Sequence, residues 1–341
     1  MRLLWQAHSS YMALLCRITC LWVGRTLYKK ITFAGMEARI YKSTGSWYVA
    51  KGADGVVYKA RMKGLFKHDK GITSTNPVAV GDYVDLVIEN GDAMISVIHD
   101  RRNYIVRESP HGRVKKHIVA ANMDQAILVT TVATPRTSQG FMDRFLVTAA
   151  AYHIPVILLF NKKDIFREKD IEQYAIYEDM YSEIGYTVRL ISATDATDIG
   201  MVQEMLAGKT TLLSGHSGVG KSTLINGLLP ASHLKTTAVS DWSGKGQHTT
   251  TFAEMFDLED GGSLIDTPGI RELGIVDIEK VELSHYFLEM QPYLQACRFN
   301  SCLHLNEPGC AVRAAVDEGK IYPERYISYV TILASMEEKS H

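Results

Sequence analysis

The chain has 341 residues, 46% of them apolar and 22% charged, which excludes a disordered polymer and leaves room for about two to three compact units. Lys+Arg 37 against Asp+Glu 38 give a formal net charge of −1. That balance excludes a uniformly basic nucleic-acid coat and an acidic tail protein, so any RNA contact has to come from a local patch. No apolar run reaches the ~18 uncharged residues of a membrane helix, and five cysteines, an odd number, do not make a disulfide framework.

Residues 1–35 carry five basic residues (Arg2, Arg17, Arg25, Lys29, Lys30) and no acid. Arg17 interrupts the apolar stretch Tyr11–Gly24, and no small-residue cleavage site stands out. The segment reads as a targeting sequence, a short basic arm, or sequence upstream of a true start at Met36. Cys16 and Cys20 lie four apart with no second pair nearby, and read as a packed or incidental pair.

Residues 37–105 read as β. Arg39–Ser43, Ser46–Ala50, Val56–Met62, Asp82–Glu89 and Ala93–His99 are short, rich in Val, Ile and Tyr, and bounded by turn residues. Five such strands predict a small barrel of the OB type. Between 37 and 70, eight basic residues face three acidic ones, a net +5, with Trp47, Tyr48, Tyr58 and Phe66 interleaved. Cations meet phosphates and rings stack on bases, so the mixture suits RNA. A solvated barrel surface with its aromatics in the core is the competing reading.

From 106 to 280 the pattern alternates. Ala126–Val132, Pro155–Phe160, Thr187–Ile191, Thr210–Ser214, Phe252–Leu258 and Ser263–Ile265 read as strands. Phe141–Tyr152, Ile171–Ile184 and Ser222–Leu229 read as helices. This predicts an α/β sheet covered on both faces. After 281 the chain reads as helical around a Cys/His cluster. The expected division is therefore 1–36 extension, 37–105 OB barrel, 106–280 α/β domain and 281–341 metal-binding helical domain.

Gly215-His216-Ser217-Gly218-Val219-Gly220-Lys221-Ser222, followed by Thr223, fits the phosphate-binding loop at every fixed position. Glycines let backbone N–H groups turn inward around phosphate oxygens, and the following helix points its positive end at the anion. Lys221 would reach the β/γ-phosphates and Ser222 would ligate Mg²⁺. The base is chosen elsewhere. Asn161-Lys162-Lys163-Asp164 follows a buried strand, where a carboxylate can accept both N–H donors on guanine's N1/N2 edge. Adenine would leave that carboxylate unmatched. Ser192-Ala193 matches the backbone-donor turn that completes a guanine site.

Asp266-Thr267-Pro268-Gly269 reads D-x-x-G: Asp266 for Mg²⁺ and the Gly269 N–H for the γ-phosphate. Gly244–Thr251 is hydroxyl-rich and can supply a switch threonine to Mg²⁺. Thr250 is favoured, with its neighbours Thr249 and Thr251 left open. Ile270 stands where many GTPases carry a water-orienting Gln, so intrinsic hydrolysis should be slow. His248 is the candidate catalytic group, with an RNA contact or a solvated loop histidine as the competing reading. The motif order is informative: N-K-x-D and S-A precede the P-loop and D-x-x-G. Cyclic order is kept while the chain ends are moved, which describes a circular permutation.

Cys297-x₄-Cys302-x-His304-x₅-Cys310 supplies three sulfurs and one imidazole. The set suits one tetrahedral Zn²⁺ with no open position, hence a structural site. Unmetallated buried thiols are the alternative.

The order of barrel, permuted GTPase and Cys₃His resembles the bacterial ribosome small subunit-dependent GTPase A family (RsgA, also called YjeQ or EngC), from about Met36 to about residue 336. The resemblance implies an α/β P-loop GTPase domain, circularly permuted, with an N-terminal OB-like barrel and a C-terminal zinc-binding helical domain. It implies a late assembly and checkpoint factor that binds the 30S subunit and its 16S rRNA, uses GTP with Mg²⁺, and is released on hydrolysis. A cytoplasmic monomer without membrane contact is expected. An RNA-binding module that keeps guanine nucleotide only as a structural ligand is the other function weighed.

Overall fold

The computed structural model describes residues 35–62, 77–89, 91–107, 117–229, 253–267 and 278–337. Five strands form the first unit: β1 Met36–Ser43, β2 Tyr48–Gly52, β3 Val57–Met62, β4 Tyr83–Glu89 and β5 Asp92–Ile98. β1 pairs with both β2 and β4, β2 with β3, and β4 with β5, all antiparallel, while β3 and β5 run parallel. The ring 1-2-3-5-4-1 is closed, as expected for an OB-type barrel. Its interior holds Ile40, Leu86 and Ile95 with small residues at Ala38, Ala50, Ala60 and Ala93. Alternation along each strand sends those inward and leaves Lys59 and Arg61 of β3 outside.

A bulge between Ile40 and Lys42 bends β1 out of the barrel. β1 pairs with β4 only over Met36–Arg39, and beyond the bulge Lys42 pairs with Glu254 of a second sheet. One strand therefore serves two sheets. Ion pairs Lys42–Glu254 (2.9 Å) and Lys51–Asp257 (2.6 Å) and the Tyr41 hydroxyl on Asp257 (2.5 Å) brace the junction.

The second sheet contains β8 Gln125–Thr130, β9 Val156–Phe160, β10 Thr187–Leu190, β11 Thr210–Ser214, β12 Glu254–Asp257 and β13 Ser263–Asp266. Its order is β10-β9-β8-β11-β13-β12, parallel except for β12. Leu128 and Ala126 face the core under α1 (Gln139–Ala151) and α2 (Glu168–Ile184). Ile127 and Val129 face the core under α3 (Ala196–Leu206) and α4 (Lys221–Leu228). Burial on both faces is why β8 reads as an unbroken apolar run.

Four elements differ from expectation. The strands β6 Tyr104–Arg107 and β7 His117–Ala121 pair into a small hairpin that was not anticipated; they are short and stand apart across a polar stretch. α2 starts at Glu168, not Ile171, because the Asp170 carboxylate accepts the Arg167 N–H at 3.0 Å and caps a charged first turn. α3 lies in a stretch whose Ser, Thr and Asp residues read as loop. Asp195 caps it by accepting from Thr197 N (2.8 Å) and Asp198 N (3.1 Å).

The C-terminal region holds 3-10 turns at Lys280–Tyr286 and Gln291–Ala296, then α5 Ala311–Asp317 and α6 Pro323–Glu337. Leu283, Phe287, Met290, Ile321, Tyr329 and Leu333 form its core, which also takes in Val147 of α1. Arg325 crosses that interface fully buried, donating to Asp143 of α1 and to Glu289 (2.6 Å). No helix among the described residues is long and apolar enough to cross a membrane.

Candidate functional site

The parallel strands β8, β9, β11 and β13 end side by side, and the motif residues follow directly from those ends, where open α/β sheets bind ligands. Ser214 closes β11, the loop from Gly215 runs over its end, and α4 begins at Lys221. Gly215 (φ +145°) cannot be replaced, since a Cβ would lie 2.4 Å from the Val129 carbonyl. At Gly220 (φ +100°) a Cβ would meet the Asn161 side-chain amide at 2.3 Å. The two glycines are thus fixed by neighbours on β8 and just after β9.

Lys221 folds back into the loop. Its ammonium donates to the carbonyls of Gly215 and of His216 (3.2 Å). Burial pulls its pKa down, while the charge of Asp266 works the other way. Asp266, buried at the end of β13, and the Thr267 hydroxyl, which donates to Leu213 O at 3.2 Å, complete the phosphate side. Ser222 and Thr223 lie in the first turn of α4.

The base side is organised by Asn161, 1% exposed. Its amide nitrogen donates to Val219 O (2.9 Å) in the phosphate loop, and its amide oxygen accepts Ala193 N (2.9 Å). Its backbone N–H donates to Thr130 O (2.8 Å). One side chain therefore ties N-K-x-D to the P-loop and to the Ser192–Ala193 turn. Lys162 takes a left-handed conformation (φ +73°) that lets its ammonium reach Thr134 O at 2.8 Å. Asp164 accepts the Ser192 hydroxyl at 2.6 Å on Oδ1.

Every sequence-predicted guanine and phosphate residue within the described residues is brought to this edge of the sheet: Asn161–Asp164, Ser192, Ala193, Gly215–Thr223 and Asp266. His248, Thr250 and Gly269 lie outside the described residues. Two groups escaped the sequence reading. Thr137 bonds His216 (Oγ1 to Nε2, 2.8 Å), so the start of α1 holds the outer side of the loop. Asp198 of α3 takes Lys163 Nζ and Ser192 N, each at 2.7 Å. Neither belongs to a spaced motif, and only the fold brings them in.

The second site is the Cys₃His cluster. The ligand atoms of Cys297, Cys302, His304 and Cys310 lie within 4.8 Å of one another. His304 Nδ1 stands 3.6 Å from Cys297 Sγ and 3.4 Å from Cys310 Sγ. Metal bonds of about 2.0 Å to nitrogen and 2.3 Å to sulfur, at tetrahedral angles, imply an N···S edge of about 3.5 Å. The donor set fits one tetrahedral metal ion. His304 sits at φ +58°, held by the Tyr326 hydroxyl on its carbonyl (2.6 Å). The turn around it is closed by Glu307, whose carboxylate accepts Leu303 N (2.7 Å), Leu305 N (2.8 Å) and Asn306 N (3.0 Å). Burial pushes the Cys302 thiol up to about 12, raises Cys310 as well, and lowers His304. These shifts favour a neutral imidazole, the form that binds a metal, and a metal would favour ionisation of the thiols.

The barrel adds a third feature. Arg61 lies 3.6 Å and Lys59 4.4 Å from the Trp47 ring centre, two exposed cations stacked on one half-buried indole.

Comparison with known proteins agrees with this architecture. The family model for the RsgA N-terminal domain matches residues 37–95, and that for the RsgA GTPase matches residues 98–276. A small ribosomal subunit biogenesis GTPase RsgA from Flavobacterium johnsoniae is 49% identical over 307 residues, covering 89% of this chain and 94% of the relative. One from Phocaeicola vulgatus is 49% identical over 304 residues, covering 89% and 98%. Among solved structures, YjeQ from Thermotoga maritima aligns with TM-score 0.70 at 30% identity, covering 88% of this chain and 98% of that one. YloQ, a circularly permuted GTPase, aligns with TM-score 0.69 at 29% identity over 92% and 99%. A closed barrel joined to a sheet whose guanine motifs precede its phosphate loop, with a Cys₃His cluster behind, places this chain in the RsgA GTPase family.

Proposed function

We propose that this chain hydrolyses GTP as an assembly factor of the small ribosomal subunit, binding its rRNA while GTP is held and leaving after hydrolysis. The observation that carries the reading is the pair of hydrogen bonds made by the Asn161 side chain, one to Val219 and one to Ala193. It makes guanine recognition and phosphate binding one rigid site. The names of the relatives supply the biological setting, and the Trp47 platform with Lys59 and Arg61 supplies a surface suited to RNA.

In this reading Asp164 accepts the N1 and N2 protons of guanine, while Asn161 and the stem of Lys162 flank the ring. Lys163, Ser192 and Ala193 hold the pocket. Backbone N–H groups of Gly215–Ser222 surround the phosphates, Lys221 leaves its carbonyl partners for the β/γ-phosphates, and Thr223 follows in α4. Ser222, Asp266 and Thr250 would hold Mg²⁺, which supplies charge neutralisation at the phosphates. Gly269 senses the γ-phosphate, and His248 orders the attacking water when RNA clamps its loop. No covalent intermediate is needed, because positioning and charge carry phosphoryl transfer.

Cys297, Cys302, His304 and Cys310 hold one structural Zn²⁺; four protein ligands leave no position for a substrate. The domain division is 37–105, 106–280 and 281–341 after the segment 1–36, and the working form is a cytoplasmic monomer. The test is GTP turnover with and without small subunits, with ATP as competitor. Subunit-stimulated hydrolysis of GTP but not ATP is expected, with stimulation lost in His248→Ala at unchanged nucleotide affinity. Absence of turnover in both conditions would reduce the chain to a nucleotide-binding RNA module.

A further inference from the structure

The motif N-K-x-D leaves its third position free, and S-A leaves open what holds its turn. In this chain one residue outside both motifs answers both questions. Asp198 lies in the first turn of α3 and is 7% exposed. Its Oδ2 accepts the backbone N–H of Ser192 at 2.7 Å, and its Oδ1 accepts Lys163 Nζ at 2.7 Å. Its own backbone N–H is fixed on Asp195 Oδ1 at 3.1 Å. Lys163 directly precedes Asp164, and its backbone N–H donates to Ile191 O at 3.1 Å, next to Ser192. The Ser192 hydroxyl donates to Asp164 Oδ1 at 2.6 Å and meets Thr194 Oγ1 at 2.8 Å.

Asp164 is thus gripped from two sides. Its chain neighbour is tied to Asp198, and so is the serine that bonds its carboxylate. A carboxylate that must accept two parallel N–H donors works only when its plane is held to within a few tenths of an ångström. We propose that Asp198 is a specificity-determining positioning residue: by bracketing Ser192 and Lys163 it aims Asp164 at the N1/N2 edge of guanine. The inference rests on the reading of Asp164 as the guanine acceptor.

The geometry also ranks the two contacts. The Ser192 N–H is buried and has its acceptor in Asp198, whereas Lys163 is partly exposed and its ion pair is screened. An uncharged amide at 198 keeps an acceptor oxygen for Ser192 and loses only the ion pair. A methyl loses both and strands a buried donor.

The experiment compares GDP with IDP, which lacks the 2-amino group, by binding titration on full-length protein. The wild-type chain should prefer GDP by at least about tenfold, one charge-assisted hydrogen bond. Asp198→Ala should lose about tenfold in GDP affinity and shrink the GDP/IDP ratio to about two or three, while IDP binding changes less. Asp198→Asn should stay within about threefold of wild type in affinity and keep the ratio. Should the alanine variant not fold, Asp198→Ser, too short to reach either partner, takes its place. A merely structural role would weaken GDP and IDP equally and leave the ratio intact, which overturns the proposal. Asp164→Ala is the control. If it retains the wild-type ratio, the guanine reading itself fails; if it loses the ratio while Asp198→Ala does not, only the role of Asp198 is refuted.

Discussion

The nucleotide site and the Cys/His site solve the same problem in opposite ways. Around the P-loop the chain satisfies itself: Asn161 bonds Val219 and Ala193, Lys221 bonds loop carbonyls, and Ser192 bonds Asp164. Ligand binding there exchanges existing hydrogen bonds for new ones. At the Cys₃His cluster the four ligand atoms lie within 4.8 Å of one another, and burial raises the pKa of the Cys302 and Cys310 thiols. Short 3-10 turns and a seven-residue helix surround them. A metal ion held there would add to the folding energy that the local apolar core supplies. The first site is knitted together by hydrogen bonds among its own residues, and the second gathers four metal-type donors at one point.

The largest expected effect breaks the comparison on the metal side. Stripping the ion with a chelator should unfold most of residues 278–337, release one ion per chain and lower the helical circular dichroism signal. GDP affinity should change far less, because the nucleotide site is built from other elements. Reloading at neutral pH should release protons, because thiols such as Cys302 and Cys310 must ionise to bind the metal, readable in a weakly buffered solution. Full helicity in metal-free protein would contradict this.

Next comes the bolt that joins the two regions. Arg325 and Asp143 are both fully buried, and Tyr181 OH (2.7 Å) and Ser328 also donate to Asp143. The Arg325 guanidinium lies 4.8 Å from the Phe287 ring centre. Arg325→Leu strands two carboxylates and should cost about 3–5 kcal/mol in global unfolding. Unlike metal loss, it should destabilise α1 as well as the C-terminal region in hydrogen exchange.

A smaller effect sharpens the nucleotide side. Asn161→Ala removes two hydrogen bonds and leaves the Val219 carbonyl and Ala193 N–H without them. GDP affinity should fall by about 10- to 100-fold, near 1.4–2.8 kcal/mol, and the two stranded buried groups should lower the melting temperature as well. A variant that binds GDP normally would show that the two halves need no tether. The smallest effect is at the barrel junction. Lys51→Ala removes an ion pair whose partners are both partly exposed, so stability should change by less than about 1 kcal/mol.

The sequence shows the two sites unequally. P-loop, N-K-x-D, D-x-x-G and Cys₃His are legible because each fixes residue types at fixed spacing, and their permuted order is legible for the same reason. The barrel is legible from strand alternation, but its sharing of β1 with the second sheet is not. That depends on a bulge at Ile40–Lys42, which no pattern of residue types announces. Asp198, Thr137 and Arg325 are invisible for a related reason. Each acts on a distant partner, Arg325 on one 182 positions away, and a lone polar residue on a helix reads as surface until the fold buries it.

In the proposed site Asp164 reads the base whose phosphates Gly215–Ser222 hold. Asp164→Asn tests it with GDP and xanthosine diphosphate, whose C2 carbonyl can accept from an amide. GDP affinity should fall at least about 100-fold while xanthosine diphosphate becomes the preferred ligand. Unchanged GDP binding in that variant would contradict it.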